Sequence, residues 1–393
     1  MAEPYRILTL NAISAEGLKR LPSERYRVGA QITTPDAILV RSHDMHEMDI
    51  PAQVRAIGRA GAGTNNIPVA QMSMRGVPVF NAPGANANAV KELVIAGMLM
   101  AARNLVPAMH FVSGLEGDDA ALNKQVDAGK KAFAGIELAG RTIGVIGLGK
   151  IGTLVANAAT HLGMHVLGYD PEITVDAAWR LSSRVQKAHS IAEVLESSEF
   201  VTLHVPLVGA TQHLIDAGRL KLMKSGAVLL NFARDAIVDT AAVCDALEAG
   251  GLHAYVCDFP SAALTGRPDV IALPHLGAST REAEDICAEM VVDQVRDFLE
   301  HGNILNAVNF PDVVMPRESP FRVGIANANV PNMLGQISTA MARSGLNIRT
   351  MINKSKGEMA YTLVDLDSAV PPPAAADIAD IAGVLSVRYL PAA

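Results

Sequence analysis

Cysteine is scarce in this chain: three residues among 393, Cys244, Cys257 and Cys287. Their number is odd and their spacing fits no metal-binding pattern, so neither a disulfide framework nor a metal centre is expected, and free thiols in a reducing compartment are. Basic clusters are also missing, since 33 lysines and arginines lie scattered against 40 acidic residues for a net charge of −7. That balance excludes a nucleic-acid footprint or an anionic-membrane patch. The opening MAEPYRILTL lacks the basic, apolar and small-residue succession of a signal peptide, and a cytoplasmic location is expected. No uninterrupted long hydrophobic run occurs. Residues 93–112 come nearest, but Arg103 and Asn104 break the middle and Pro107 follows, so the segment reads as a buried interdomain or dimer-facing helix and not as a membrane span.

What is present is apolar residue in quantity, 50% of the chain, enough for two or three cores at this length. Short apolar runs at 5–10, 37–40, 56–57 and 77–80 alternate with helical or turn stretches and predict a small α/β unit. From about residue 140 the alternation resumes at 143–146, 166–169, 200–205, 227–232, 253–257 and 270–273, most pairs separated by a plausible helix. This is the pattern of a doubly wound, Rossmann-type parallel sheet. A helix over 281–301 carries the chain back to the first unit and makes that unit discontinuous. Three prolines and two acidic residues within 311–320 read as a linker. Beyond it, strand, helix, two strands, helix and strand follow over about seventy residues, the ferredoxin-like βαββαβ order. The expected domains are 1–96 with 287–312, flavodoxin-like and substrate-binding; 97–286, dinucleotide-binding; and 317–393, regulatory.

The apolar run 142–146 leads directly into Gly147-Leu148-Gly149-Lys150-Ile151-Gly152 and then a helical stretch to 162. In that order Gly147 permits the turn, Gly149 admits a pyrophosphate to the backbone N–H groups, Gly152 allows helix to pack on strand, and the helix N-terminus favours the negative charge. A second apolar run ends at Asp170, eighteen residues after Gly152, where a carboxylate accepts hydrogen bonds from a ribose diol and repels a 2′-phosphate. NAD is therefore expected in preference to NADP.

In an open α/β sheet, ligands lie beyond the carboxyl ends of the strands. There the chain places His204-Val205-Pro206, Ala233-Arg234-Asp235, Asp258 and Pro274-His275. Hydride exchange between a nicotinamide and a 2-hydroxy acid needs a cation that grips the carboxylate and polarises the carbonyl, and a guanidinium does both bidentately. It also needs a group that takes the hydroxyl proton and returns it, and imidazole titrates nearest neutrality. Arg234 and His275 fit those roles.

GLGKIG, NFARDAIVD and ALPHLGAST resemble the NAD-dependent D-2-hydroxyacid dehydrogenases. NAPGANANAVKELV and the C-terminal unit narrow the resemblance to the branch that oxidises 3-phosphoglycerate to 3-phosphohydroxypyruvate, the first committed step of L-serine synthesis. It implies that Arg234 and His275 are catalytic, that Asp170 binds the adenosine ribose and Asp258 lies near the nicotinamide carboxamide. Lys150, Ile151, Phe232, Ala233 and Gly277 join the cofactor set with the glycines and the His204-Val205-Pro206 turn. A phosphorylated substrate needs further cations. Arg41, Arg59 and Lys91 match basic positions of the family; Arg59 precedes Gly61-Ala62-Gly63-Thr64-Asn65, whose N–H groups can form an anion nest, and Lys91 follows Asn86 and Asn88 at a helix start.

The C-terminal unit resembles the ACT regulatory domain, which implies L-serine as an effector near Asn329, Pro331, Asn332 and Asn347. Asn332 replaces the usual glycine of that turn, a tolerable exchange because Asn also enters the left-handed region. A homo-oligomer, dimer or tetramer, is expected. Two departures stand out. Ala262 takes the place of a glutamate that partners the catalytic histidine in the family, so the His275 imidazolium lacks a stabilising charge unless Asp258 substitutes; and Asp235 replaces the glycine after the arginine. Two alternatives remain open: a dehydrogenase of another 2-hydroxy acid such as glycerate or 2-hydroxyglutarate, and a non-catalytic dinucleotide sensor on the same fold.

Overall fold

The computed structural model describes residues 3–391. They form two compact units, one running to Asn86 and resuming at Thr280, the other spanning Ala87–Ser279.

The first unit begins with five parallel strands, β1 (Tyr5–Leu10), β2 (Tyr26–Gly29), β3 (Ala37–Val40), β4 (Ala56–Arg59) and β5 (Val79–Phe80), in the spatial order β2-β1-β3-β4-β5. This is the flavodoxin-like order. The helix Arg281–His301 starts at Thr280, whose hydroxyl accepts the Ala283 N–H at 3.1 Å, and ends at Gly302 in the left-handed region. Its apolar stripe, Val291, Val292, Val295, Phe298 and Leu299, is buried with β-sheet residues in one core. Contact is close enough that a β-carbon on Gly58 would lie 2.8 Å from Val291 and Val295 methyls.

The second unit holds β6 (Thr142–Ile146), β7 (His165–Tyr169), β8 (Val185–Lys187), β9 (Phe200–Leu203), β10 (Ala227–Asn231), β11 (Leu252–Cys257) and β12 (Val270–Ala272), in the order β12-β11-β10-β9-β6-β7-β8. All neighbours are parallel. The order reverses between β9 and β6, the switch point beside which such sheets bind dinucleotides. The central strands are apolar on both faces because two buried clusters cover them. The stretch 93–112 is not one helix: Ala87–Ala102 and Leu105–Ser113 are bent by 67° about Asn104, which is left-handed at φ 49°. Only the first half is buried, through Val90, Val94 and Met98; Met109 and Val112 in the second are exposed. Among the described residues no single helix is long and apolar enough to cross a membrane.

Returning to the first unit, β13 (Phe321–Ala328), β14 (Ile348–Lys356), β15 (Met359–Leu366) and β16 (Val384–Pro391) form an antiparallel sheet ordered β14-β15-β13-β16 with helices Met333–Arg343 and Pro372–Ala379. This is the ferredoxin-like arrangement. Alternate residues split between two faces: Val323, Ile325, Val364 and Leu366 pack with those helices, whereas Ala326, Tyr361 and Leu363 join the core around Phe298 and Phe310. The proline-bearing stretch before β13 is accordingly no loose linker. Val313 pairs with Ile304 at 2.8 Å in both directions, and Val313 and Met315 are buried, because apolar side chains between the prolines find a core.

Candidate active site

Gly147 follows β6 at φ 91°, and a β-carbon there would lie 2.6 Å from the His204 carbonyl oxygen. One on Gly152 would overlap the Gly147 carbonyl oxygen. Gly149, which opens the helix Lys150–His161, has nothing within 4 Å of that direction. The first and third glycines thus let three backbones meet, and the second leaves room above the N–H groups that open the helix, which suits a pyrophosphate. Asp170 ends β7 and holds the loop, accepting the Leu148 N–H at 2.8 Å and the Glu172 N–H at 2.9 Å. A carboxylate has about four acceptor sites, so capacity remains for a ribose diol. His204 turns its ring to the Thr202 hydroxyl at 2.9 Å, and burial pushes its imidazolium down to about 3. It is a neutral support for the glycine turn.

Asn231, the last residue of β10, is fully buried and donates to the Arg234 carbonyl at 2.8 Å, fixing the turn through Phe232 and Ala233 from which the exposed Arg234 projects. Arg234 itself donates to the Ala233 carbonyl at 2.6 Å. No ion pair joins it to Asp235 among the described residues, and Asp235 instead opens a short turn of helix. Beyond β11, Asp258 is 2% exposed and its Oδ1 has no partner. Burial pushes its carboxyl above the usual range, against the pull of His275, the Gly277 N–H and Arg234. Beyond β12, His275 adopts φ 53°, its N–H shared between the Asp258 and Leu273 carbonyls at 3.1 and 3.0 Å. A non-glycine residue held there is strained, a feature concentrated at functional sites. Its ring meets Phe259 edge to face at 5.1 Å, and no carboxylate hydrogen-bonds it among the described residues. Ala262 is exposed in the turn that follows Phe259.

Three strand ends of one sheet thereby carry a guanidinium, an imidazole and a buried carboxylate on which the other two act. Cofactor chemistry fits the residues present: open space over Gly149 for a diphosphate, and a buried acceptor on Asp258 for an amide N–H. Asn231 and Phe259 escaped the sequence reading; the first is masked by an apolar run, and the second passes for a core aromatic.

In the first unit Arg41 and Arg59 stand at the ends of β3 and β4, Arg59 Nε donating to the Arg41 carbonyl at 3.0 Å. Gly61-Ala62-Gly63 follows, with the Ala62 carbonyl accepting from Asn81 Nδ2 at 2.5 Å. Lys91 belongs to the other unit, in the helix Ala87–Ala102, 3.6 Å from Glu92. In the C-terminal module Asn332 is left-handed at φ 66° and opens the helix Met333–Arg343 after Pro331. Asn329 donates to the Gly357 carbonyl at 3.0 Å and Asn347 to Asp367 at 2.5 Å.

Residues 95–277 match the family described as D-isomer specific 2-hydroxyacid dehydrogenase, NAD binding domain. The chain belongs to the D-isomer specific 2-hydroxyacid dehydrogenases and carries their NAD-binding domain. Its relatives include proteins named D-3-phosphoglycerate dehydrogenase: that of Escherichia coli K12 is 32% identical over 80% of this chain and 75% of its own. That of Methanocaldococcus jannaschii is 34% identical over 86% of this chain, which spans only 62% of that relative's length. Among solved structures, the TT0316 protein from Thermus thermophilus is 26% identical with a TM-score of 0.62 over 77% of this chain and 99% of its own. The NAD+-bound 3-phosphoglycerate dehydrogenase of Entamoeba histolytica shares the fold, at 24% identity and a TM-score of 0.60 over 78% of this chain and 99% of its own.

Proposed function

We propose that the protein oxidises 3-phosphoglycerate to 3-phosphohydroxypyruvate with NAD, opening L-serine synthesis. The carrying observation is the set Arg234, Asp258 and His275 at the ends of β10, β11 and β12, with Asp258 coupled in charge to both others. Relatives named for this reaction, 30–34% identical over most of the chain, support the substrate.

Gly147, Gly149, Lys150, Ile151 and Gly152 hold the diphosphate, Asp170 the ribose, and Val205, Pro206 and Gly277 line the nicotinamide end. When bound, NAD supplies the hydride acceptor. Arg234, its turn held by Asn231, takes the substrate carboxylate and polarises the reacting carbon–oxygen bond. His275 accepts the hydroxyl proton on oxidation and returns it on reduction. Asp258 places negative charge near the imidazolium that this creates, and its free Oδ1 would accept from the carboxamide of bound NAD. Arg41, Arg59 with the Ala62 and Gly63 turn, and Lys91 serve the phosphate. The free thiols of Cys244, Cys257 and Cys287 support a cytoplasmic setting. L-Serine as effector at Asn329, Pro331, Asn332 and Asn347, an ACT identity for the C-terminal module, and a homo-oligomeric state belong to the same reading.

The test separates an enzyme from a dinucleotide sensor. His275→Gln should abolish reduction of phosphohydroxypyruvate while NADH still binds, seen by quenching and transfer of nicotinamide fluorescence. Full turnover in His275→Gln, or none in the unaltered protein, would contradict the proposal.

A further inference from the structure

The two arginines that end β3 and β4 share their surroundings with a carboxylate. Val40 and Arg59 pair in register, and Arg59 Nε reaches past that pair to donate to the Arg41 carbonyl at 3.0 Å, which brings the two residues together. Arg59 lies over Gly61, where a β-carbon would overlap a guanidinium nitrogen. Arg41 donates to Glu284 Oε1 at 2.5 Å, both side chains being little more than one-third exposed. Glu284 comes from the first turn of the helix Arg281–His301. One turn further on, the buried Cys287 thiol, pushed up by desolvation, is drawn down by Arg59 and Arg41 and up again by Glu284. Two cations and one anion thus act on a single point.

Such an arrangement is an anion site with a competitor built in. We propose that Glu284 is a specificity-determining residue, whose charge beside Arg41 lowers by one the positive charge that the site offers an anionic substrate tail. The assignment rests on the reading of Arg41 and Arg59 as the cations that meet the far end of the substrate. A dianionic phosphate has to share Arg41 with Glu284 and stand near its charge; an uncharged tail does neither. Removing one charge from the neighbourhood of a dianion in a wet, high-dielectric setting is worth about tenfold in binding. That gain exceeds what the partly exposed Arg41–Glu284 pair contributes to holding Arg41 in place, because such pairs are weak. The tail contact is the same before and during reaction, so the effect belongs in KM and not in kcat.

Glu284→Gln in the full chain tests this, because the amide keeps a hydrogen bond to Arg41 and removes only the charge. KM for phosphohydroxypyruvate should fall about tenfold and the kcat/KM ratio of phosphohydroxypyruvate over hydroxypyruvate should rise by the same factor. Inorganic phosphate, as a competitive inhibitor of hydroxypyruvate reduction, should act at about tenfold lower concentration in the variant, and raising salt should shrink the difference. A KM that moves equally for both substrates, or rises for the phosphorylated one, overturns the assignment. If phosphohydroxypyruvate is turned over by neither protein, the functional reading fails while phosphate inhibition still judges Glu284; an inhibition constant unchanged by the substitution overturns the role given to it.

Discussion

His275 carries its ring on a left-handed backbone and against Phe259, a setting that orients imidazole by shape instead of by a carboxylate hydrogen bond. Reduction needs the protonated ring as donor, and a neighbouring negative charge would keep it protonated to higher pH. Ala262→Glu should therefore shift the descending limb of reductive kcat/KM to higher pH and raise the rate near neutrality, with NADH affinity little changed. A profile that Ala262→Glu leaves in place would show that Asp258 already serves as the partner. Asp258 carries a sign of its own. Its carboxyl is raised by burial, so the ionised form penalises the fold at neutral pH and protonation relieves it as pH falls. Asp258→Asn should accordingly raise Tm most near pH 7, lose that advantage towards pH 3, and weaken NADH binding; a Tm gain independent of pH would contradict the buried charge. Asp170→Ala should narrow the preference for NAD over NADP, and equal kcat/KM for both cofactors in the unaltered protein would remove the ribose assignment. At this scale the placement of the glycines in a strand-to-helix turn, and of Asp170, Arg234 and His275 beyond strand ends, was legible because strand ends and turn glycines leave local marks. Asn231, Phe259 and Glu284 were not, since their roles come from neighbours distant in sequence.

Among the elements, the C-terminal end of the helix Arg281–His301 shows how the modules of the first unit are joined. Its last carbonyls lack regular i+4 donors beyond Phe298, which accepts the Gly302 N–H at 2.9 Å. Arg388 donates to Phe298 and Leu299 at 3.1 Å each, Arg317 to Glu300 at 3.3 Å, Arg322 to His301 at 3.1 Å and Tyr361 to Gly302 at 2.8 Å. Cations there also suit the helix dipole. Arg322 is fully buried and bidentate to Asp365 at 2.6 and 2.9 Å. Asp365→Ala should cost about 3–5 kcal/mol, because it strands a buried guanidinium; the combination Arg322→Met with Asp365→Leu should recover most of it. Urea unfolding measures both, and a loss under about 1 kcal/mol for Asp365→Ala would show the pair to be hydrated. The apolar periods placed this helix and the βαββαβ module in the sequence. They missed β2 and β8, short edge strands with polar exposed residues, and three prolines disguised the packed stretch before β13.

For the whole molecule, the C-terminal module is part of the first unit's core and not an appendage. Removing residues after 316 would expose Phe298, Phe310 and Ile304, so the truncated chain should unfold at a lower temperature than the full one, and serine effects have to be sought on the intact protein. The proposed function rests on substrate choice. Its most direct test is kcat/KM for NADH-dependent reduction of phosphohydroxypyruvate, hydroxypyruvate and 2-oxoglutarate by the purified full chain under one condition. Phosphohydroxypyruvate should lead by at least about tenfold, the worth of one charge-assisted contact to the phosphate. A lead for 2-oxoglutarate or hydroxypyruvate would contradict the account and assign the site to a different 2-hydroxy acid.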